Sequence, residues 1–319
     1  MKLKLKEFFL KEGALGAYVI LIILISIMLS ISPSFRTSYT FRNLFLRILP
    51  LFIIGLGETF VIIAGGIDIS VGATMSLGNV IAASFIGEWS NFGIILALLS
   101  GAFVGLVNGI GVVKLKINPF LMTFCSMNIL VGLSIWIRPY PGGYVSAEFA
   151  NLIMYSIGNL PIGSICLFIV LLVTGSILLK FTNFGYSIYA TGGNPESARL
   201  AGINVDNIKL LSFSLAGLLS SLAGVYFAAR MLSGDAHLGD PFMIDAIMVA
   251  TVGGASLSGG QGGVIGAIGG ASVVAILDNA FNLLGFSTYL KLMVKGLILV
   301  GCILISNYQK NNLEKTLER

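Results

Sequence analysis

Long apolar stretches run through almost the whole chain, and they constrain the fold more than any other feature. Only 10% of the 319 residues are charged and 56% are hydrophobic, whereas a soluble domain carries about 25% charged residues. So few charges cannot cover a water-facing surface, so most of the surface must face lipid or lie buried. Because only helices and closed barrels span membranes, this composition predicts an all-α, polytopic transmembrane helical bundle.

A helix of about 17–25 mostly apolar residues is long enough to cross a bilayer. The sequence predicts about ten membrane segments, of which the third and the eighth are short. They are Ala14–Ile31, Ile48–Ala64, Gly72–Gly87, Gly93–Val113, Phe120–Ile137, Ile162–Leu179, Leu210–Ala229, Ile244–Leu257, Val264–Leu284 and Leu290–Ser306. The hydrophilic stretches between them are too short to fold alone, so residues 1–319 are expected to form a single transmembrane domain.

Basic residues orient this bundle, because cytoplasmic loops carry an excess of Lys and Arg. With the N-terminus inside, ten crossings place these residues inside: Lys2, Lys4, Lys6, Lys11, Lys114, Lys116, Lys180, Arg199, Lys209, Lys310, Lys315 and Arg319. A smaller set falls outside: Arg36, Arg42, Arg47, Arg138 and Arg230. We therefore expect a multi-pass protein with both termini in the cytoplasm.

Two glycine-rich strings interrupt the apolar pattern, at Gly65–Gly72 and at Gly253–Gly260. Both read Gly-Gly-x-x-(Ile/Leu)-Ser-x-Gly, which suggests an internal repeat with paired broken helices. Unwound backbone at membrane depth is tolerated where it is buried in protein or lines a water-filled cavity. The alternative is a tight turn at the cytoplasmic interface, in which Asp68 caps the next helix.

Several polar residues inside the apolar segments are candidates for lining a translocation path. The set is Gly65, Gly66, Asp68, Ser70, Asn108, Asn128, Asp278, Asn279 and Asn282. Asn279 and Asn282 are three apart and are expected to share a helix face, whereas Asp278 points further round. The alternative role for these amides is to hydrogen-bond neighbouring helices to one another.

The hydrophilic segment 181–209 carries the most specific pattern. Asn194-Pro195-Glu196 is typical of a helix start, with Asn as N-cap and Pro at the first helical position, and Gly202 suits the C-terminal end. This predicts a two-turn helix outside the bilayer. Because so short a helix is marginal alone, we expect it to dock into a groove of a partner.

Other motifs exclude functions of this chain by itself. Leu257-Ser258-Gly259-Gly260-Gln261 spells the signature peptide of ABC-type ATPases, but the sequence has no Gly-x-x-x-x-Gly-Lys-Ser/Thr phosphate loop. The three cysteines and His237 show no metal-ligand spacing. We expect no catalytic residues, no metal site and no nucleic-acid partner.

Three blocks resemble the permeases of sugar-importing ABC transporters, in the ribose-type branch, and the resemblance spans about residues 44–304. The first block is Ile63–Gly72. The second runs from Phe184-Gly185 through Gly193-Asn194-Pro195-Glu196 to Ala201-Gly202-Ile203. The third includes Asp245-Ala246-Ile247, Gly253-Gly254, Leu257–Gly260, Asn279, Asn282–Gly285 and Lys295-Gly296-Leu297.

The resemblance implies a permease subunit of an ATP-driven importer in the bacterial cytoplasmic (inner) membrane, carrying ribose or a related monosaccharide. It implies a second permease copy, an extracytoplasmic sugar-binding protein, and a cytoplasmic ABC ATPase that binds the ATP and magnesium. The short helix resembles the Glu-Ala-Ala-x-x-x-Gly loop that contacts the ATPase in this family. This assigns ATPase coupling to Gly192, Gly193, Asn194, Pro195, Glu196, Ala198, Arg199 and Gly202.

The chain also departs from the family pattern. Asp278-Asn279 stands where relatives usually have Asn-Asn, Thr123–Met127 replaces a Thr-Leu-Gly-Thr-Met string, and Val131 replaces an Arg. The solute therefore stays open between sugars, the autoinducer-2 signal, nucleosides and branched-chain amino acids. A rival class is an ion-coupled secondary transporter that uses Asp68 or Asp278 as its ion site.

Overall fold

The computed structural model describes residues 14–85 and 90–317, which form thirteen α-helices. Their bounds are α1 (Leu15–Ile31), α2 (Ser38–Ile63), α3 (Val71–Ala82), α4 (Ser90–Val113), α5 (Pro119–Ile137), α6 (Ala147–Met154), α7 (Ile162–Phe181), α8 (Asn183–Gly193), α9 (Pro195–Leu200), α10 (Val205–Met231), α11 (Phe242–Val252), α12 (Val264–Leu283) and α13 (Thr288–Leu317). The all-α prediction is confirmed. The predicted cytoplasmic residues Lys2, Lys4, Lys6, Lys11 and Arg319 lie outside the described residues.

Within residues 14–85 and 90–317, six helices are long and apolar enough to cross a membrane, namely α2, α4, α5, α7, α10 and α12. Three other apolar helices are shorter, since α1 has 17 residues, α3 has 12 and α11 has 11. The third and eighth predicted segments correspond to α3 and α11, and both are short, as predicted. The total of about ten segments is not confirmed, because it requires α1, α3, α11 and α13 as well.

Two helices begin well before the membrane segments predicted for them, because capping residues, and not hydropathy, set where a helix begins. α2 begins at Ser38 instead of Ile48, where the Thr37 side chain accepts the Thr40 N–H. α10 begins at Val205 instead of Leu210, where Asn204 accepts the Asn207 N–H at 3.0 Å. A cap satisfies an amide that would otherwise be unpaired, so each helix continues past the charged residues at which the hydropathy falls.

Helix α2 forms the centre of the bundle and is buried from Leu49 to Ile63. Helix α10 crosses it in the opposite direction, with Tyr226 near Leu46 and Phe213 near Val61. α4 packs on α10 through glycines at 101, 105 and 217. These small residues let the backbones approach closely, which is the usual way that membrane helices associate.

The short helices α3 and α11 begin beside each other in the middle of the bundle. Gly72 of α3 contacts Gly239 and Met243 so closely that no side chain fits between them. The connection 232–241 runs back along α3, where Ser76 accepts the Gly239 N–H at 2.8 Å and Asn79 accepts the Asp235 N–H at 2.7 Å. Two half-length helices therefore share one central contact.

The order long helix, short helix, long helix occurs twice, in α2–α3–α4 and in α10–α11–α12. The two glycine-rich strings do not hold the same place in these units. Gly65–Gly72 leads from a long helix into a short one, whereas Gly253–Gly260 lies between a short helix and a long one. The two strings are therefore alike in sequence but do not occupy equivalent positions in the fold.

Candidate functional site

Helix α9 lies where the Asn194-Pro195-Glu196 pattern predicts a helix. The Asn194 side chain accepts the N–H groups of Glu196 and Ser197, both at 3.0 Å. Gly202, with φ +84°, follows the end of the helix. The Leu200 side chain is 91% exposed. An apolar side chain left in solvent on a two-turn helix is consistent with docking to another protein.

Charged side chains of α9 are also accessible. Arg199 forms an ion pair with Asp206 at 3.0 Å, and both side chains are more than half exposed. Glu196 is exposed, whereas Ala198 is buried against the rest of the chain. The helix thus has one face on the bundle and one charged face in solvent.

Helix α8 connects α9 to both glycine breaks. Its residue Gly192 is buried between Ile63, which ends α2, and Gly260 of the second string. The Gly260 N–H donates to the Ile63 carbonyl at 2.9 Å, and Tyr189 Oη donates to the Gly262 carbonyl at 2.7 Å. We call the contact of Ile63, Gly192 and Gly260 the glycine junction. Gly193, the next residue, is exposed.

The first break is held by a buried network of predicted residues. The chain turns at Gly65, with φ +80°, a backbone conformation that glycine adopts without strain. Asp68 Oδ1 then accepts both the Ser70 N–H at 2.8 Å and the Ser70 hydroxyl at 2.6 Å. Asn108 Nδ2 of α4 donates to Ser70 Oγ at 2.9 Å. Asp68 therefore fixes the backbone at Ser70, the residue that precedes α3.

The network continues through Glu58, Thr123 and Ser126, which were not among the path candidates. Glu58 Oε1 accepts the Asp68 N–H at 3.1 Å, and Ser126 donates to Asn108 Oδ1 at 2.5 Å. Thr123 accepts the Ile69 N–H at 3.2 Å. Glu58 is fully buried, and among the described residues its Oε2 atom has no hydrogen-bond partner. These buried hydrogen bonds pack the first break against α2, α4 and α5.

A second polar group lines a cavity of about 460 Å³ at the opposite end of α2. Its walls come from α2, α10, α11, α12 and α13. The charged and amide side chains in these walls are Arg47, Arg230, Asp245, Asp278, Asn282, Lys291 and Lys295. Phe227 and Phe242 supply an aromatic surface, with ring centroids 5.5 Å apart.

The inner end of this cavity is a buried ion triad. Lys295 Nζ of α13 lies 2.7 Å from Asp245 Oδ1 and 2.8 Å from Asp278 Oδ1. Lys295 and Asp245 are 5% and 3% exposed. Nearer the mouth, Lys291 donates to Asn282 Oδ1. Charges this deeply buried are tolerated because they are paired and hydrogen-bonded.

Two other candidates for lining the path, Asn128 and Asn279, belong to neither polar group. Asn128 is exposed on α5, and its amide donates to the Phe124 carbonyl at 2.8 Å. Asn279 does not line the cavity, which instead takes Asp278 and Asn282, one helical turn apart. The Asn279 Oδ1 atom is buried without a hydrogen-bond partner among the described residues.

Sequence reasoning missed Glu58, Asp245 and Lys295 as site residues, although a signal for them was present. Each is an ionisable residue within an apolar segment, and such residues are usually paired and functional in membrane proteins. Ser126 and Asp278, which depart from the family pattern, each belong to one of the two polar groups.

The described residues offer no conventional metal site, since they contain no group of three His, Cys, Asp or Glu side chains able to hold an ion. His237 pairs only with Asp240, at 3.1 Å, and both are more than half exposed.

Comparison with known proteins identifies the family of this chain. The family model for the permease component of the branched-chain amino acid transport system matches residues 40–303. The ribose import permease proteins of Escherichia coli and Bacillus subtilis are each 35% identical, over 91% of this chain and 92% of theirs. The galactose/methyl galactoside import permease of Escherichia coli is 29% identical over 94% of this chain and 95% of its own. No solved structure matches.

Proposed function

The chain belongs to the family of branched-chain amino acid transport system permease components, and we propose that it imports ribose or a closely related monosaccharide as the permease subunit of an ATP-driven ABC transporter. The relatives that name a sugar align over nearly the full chain, which supports a sugar over an amino acid. The observation that most supports an ATP-driven permease is the exposed helix α9, which α8 connects to both glycine breaks. A partner ATPase that binds α9 can therefore act on these breaks. This chain is a transport subunit and not a hydrolase, and it is a multi-pass protein of the inner membrane.

The proposed topology has ten membrane segments with both termini cytoplasmic. Six are the long apolar helices, and α1, α3, α11 and α13 complete the count. Helices α8 and α9 then lie in the cytoplasm, and the glycine junction lies at the cytoplasmic end of the bundle. In this arrangement α2–α3–α4 and α10–α11–α12 run in opposite directions through the membrane, as in inverted repeats of transporters.

In the proposed mechanism, a cytoplasmic ABC ATPase binds ATP and magnesium and receives α9 in a surface groove. Closure of the ATPase moves α8, and the glycine junction passes the movement to the ends of α2 and α11. Because backbone packs directly against backbone at Gly192, little of this movement is absorbed by flexible side chains. An extracytoplasmic binding protein delivers the solute, and two permease copies form the pathway between them.

The ion-coupled alternative is less well supported. Asp68 is held by Ser70 and by the start of α3, and Asp278 is paired with Lys295. Both proposed ion sites therefore already have structural partners.

Charge reversal on α9 tests the docking role. Glu196→Lys and Arg199→Glu are expected to abolish co-purification of the ATPase and solute uptake, while insertion of the permease is unchanged. Glu148→Lys is the matched control, because Glu148 is an exposed acidic residue on α6, far from α9 in the fold. Normal ATPase recovery and uptake in the α9 variants would remove the coupling assignment.

A further inference from the structure

We propose that the cavity enclosed by Asp245, Asp278, Asn282 and Lys295 is a weak binding site for the transported solute, and that it accepts an uncharged polyhydroxylated molecule. The inference rests on the proposed transport function and specifies where, and by what chemistry, the permease holds its cargo. It assigns a role to the buried triad that the ATPase-coupling segment does not explain.

The size and composition of the cavity suit a small polar solute. Its volume of about 460 Å³ lies within the ~300–1,000 Å³ range of ligand pockets, and a monosaccharide would occupy it with room for water. Charged groups and an amide line one part, and the rings of Phe227 and Phe242 line another. This pairing of hydrogen-bonding and apolar walls matches a sugar, which presents hydroxyl groups at its edge and C–H groups on its faces.

The polar groups offer unused hydrogen-bonding capacity toward the cavity. Asp278 Oδ1 lies 2.8 Å from Lys295 Nζ, and the carboxylate also lines the cavity. Its two oxygens together can accept about four hydrogen bonds, so it can accept one from a hydroxyl group of the solute. Asn282 uses its oxygen to accept from Lys291, which leaves its amide N–H₂ as a donor. A hydroxyl group both donates and accepts, and therefore satisfies this pair of side chains.

The distribution of charge disfavours an anion at the inner end. There, the two carboxylates of Asp245 and Asp278 surround one ammonium group, which leaves an excess negative charge. The cavity lining holds three further cations, which are Arg230, Lys291 and the exposed Arg47. Arg230 donates to the Leu46 carbonyl at 2.9 Å, and Lys291 donates to Asn282, so neither contacts the two carboxylates of the inner end. A phosphorylated or carboxylated solute would meet repulsion where the cavity narrows, whereas a neutral one would not.

A purely structural triad would only fasten α13 to the bundle. Such a role requires the contacts of Lys295, but it does not require an open volume beside Asp278 and Asn282. Weak binding is sufficient here, because the binding protein supplies the affinity and the permease must release its cargo.

The test compares Asn282→Ala and Asp278→Asn with Asn279→Ala, a control on the same helix outside the cavity. Each permease is reconstituted in liposomes with its ATPase and binding protein, and uptake of labelled ribose and galactose is measured beside ATP hydrolysis. We expect maximal sugar uptake to fall about tenfold, the effect of one lost hydrogen bond of about 1.4 kcal/mol. ATP hydrolysis should persist, and the control should behave as wild type.

The outcomes distinguish a failure of the solute site from a failure of the proposed transport function. Unchanged uptake in both cavity variants would overturn the solute site, and so would a parallel loss of uptake, hydrolysis and melting temperature. If the wild-type complex moved neither sugar, the proposed function itself would fail.

A second measurement avoids variants that destabilise the triad. In the purified permease, the reporter Phe242→Trp should show a saturable fluorescence change with millimolar ribose or galactose. No change, or a change produced equally by inorganic phosphate, would contradict a site for neutral polyols.

Discussion

Substitution of Gly192 by alanine tests the link between the ATPase-facing helix and the membrane-embedded breaks. A Cβ atom at this position would lie 2.5 Å from Gly260 N and 2.9 Å from the Ile63 carbonyl carbon. Both neighbours are backbone atoms, so no side chain can rotate to make room. Helix α8 must move away from the junction to accommodate the methyl group.

The magnitude follows from three contributions. Overpacking costs about 1–3 kcal/mol, and loss of the Gly260–Ile63 hydrogen bond adds about 1 kcal/mol. Replacing a helical glycine by alanine raises the free energy of unfolding by up to about 1 kcal/mol. The net expectation is a destabilisation of about 1–3 kcal/mol, which lowers the melting temperature by on the order of 5 °C.

The matched control is Gly193→Ala, because a Cβ at Gly193 meets nothing within 4 Å. Thermal unfolding of the purified permease in detergent should show a lower melting temperature for Gly192→Ala and an unchanged or slightly higher one for Gly193→Ala. In the reconstituted complex, Gly192→Ala should also transport less solute for each ATP hydrolysed. Equal melting temperatures together with normal coupling would refute the glycine junction as the transmitting contact.

Two further predictions concern buried charges, and both are checked by thermal unfolding in detergent. Lys295→Met should cost about 3–5 kcal/mol because Asp245 and Asp278 lose their shared cation, and adding Asp245→Asn and Asp278→Asn should recover most of it; no recovery would contradict the triad as an electrostatic unit. Glu58→Gln should change stability by less than about 1 kcal/mol because an oxygen remains to accept the Asp68 N–H, whereas Glu58→Ala should cost about 1–3 kcal/mol or more by leaving that amide unpaired. Equal losses in the two Glu58 variants would show that this hydrogen bond is unimportant.

Local patterns predicted the helical class, the two short helices and α9, because each depends on a few neighbouring residues. The Asn-Pro-Glu start of α9 is an example: the cap, the first-turn proline and the terminal glycine all lie within nine residues of sequence. Helices α2 and α10 begin earlier than the predicted membrane segments, because the caps at Thr37 and Asn204 lie outside the apolar stretch that hydropathy detects.

The partnerships between distant residues could not be read from the sequence. Lys295 and Asp245 are fifty residues apart, and their pairing depends on how α11 and α13 pack. The choice of Asp278 over Asn279 as a cavity residue likewise depends on the rotation of α12. The meeting of the two glycine breaks at Gly192 requires three separate segments to converge, which no local pattern specifies.

The most direct test of ATP-driven sugar import is labelled ribose uptake by liposomes that contain this permease, its ABC ATPase and the loaded binding protein. We expect uptake that requires ATP, is blocked by vanadate and is insensitive to an uncoupler when ATP is held constant. Uptake that collapses with the uncoupler while ATP is maintained, and that ignores vanadate, would contradict it.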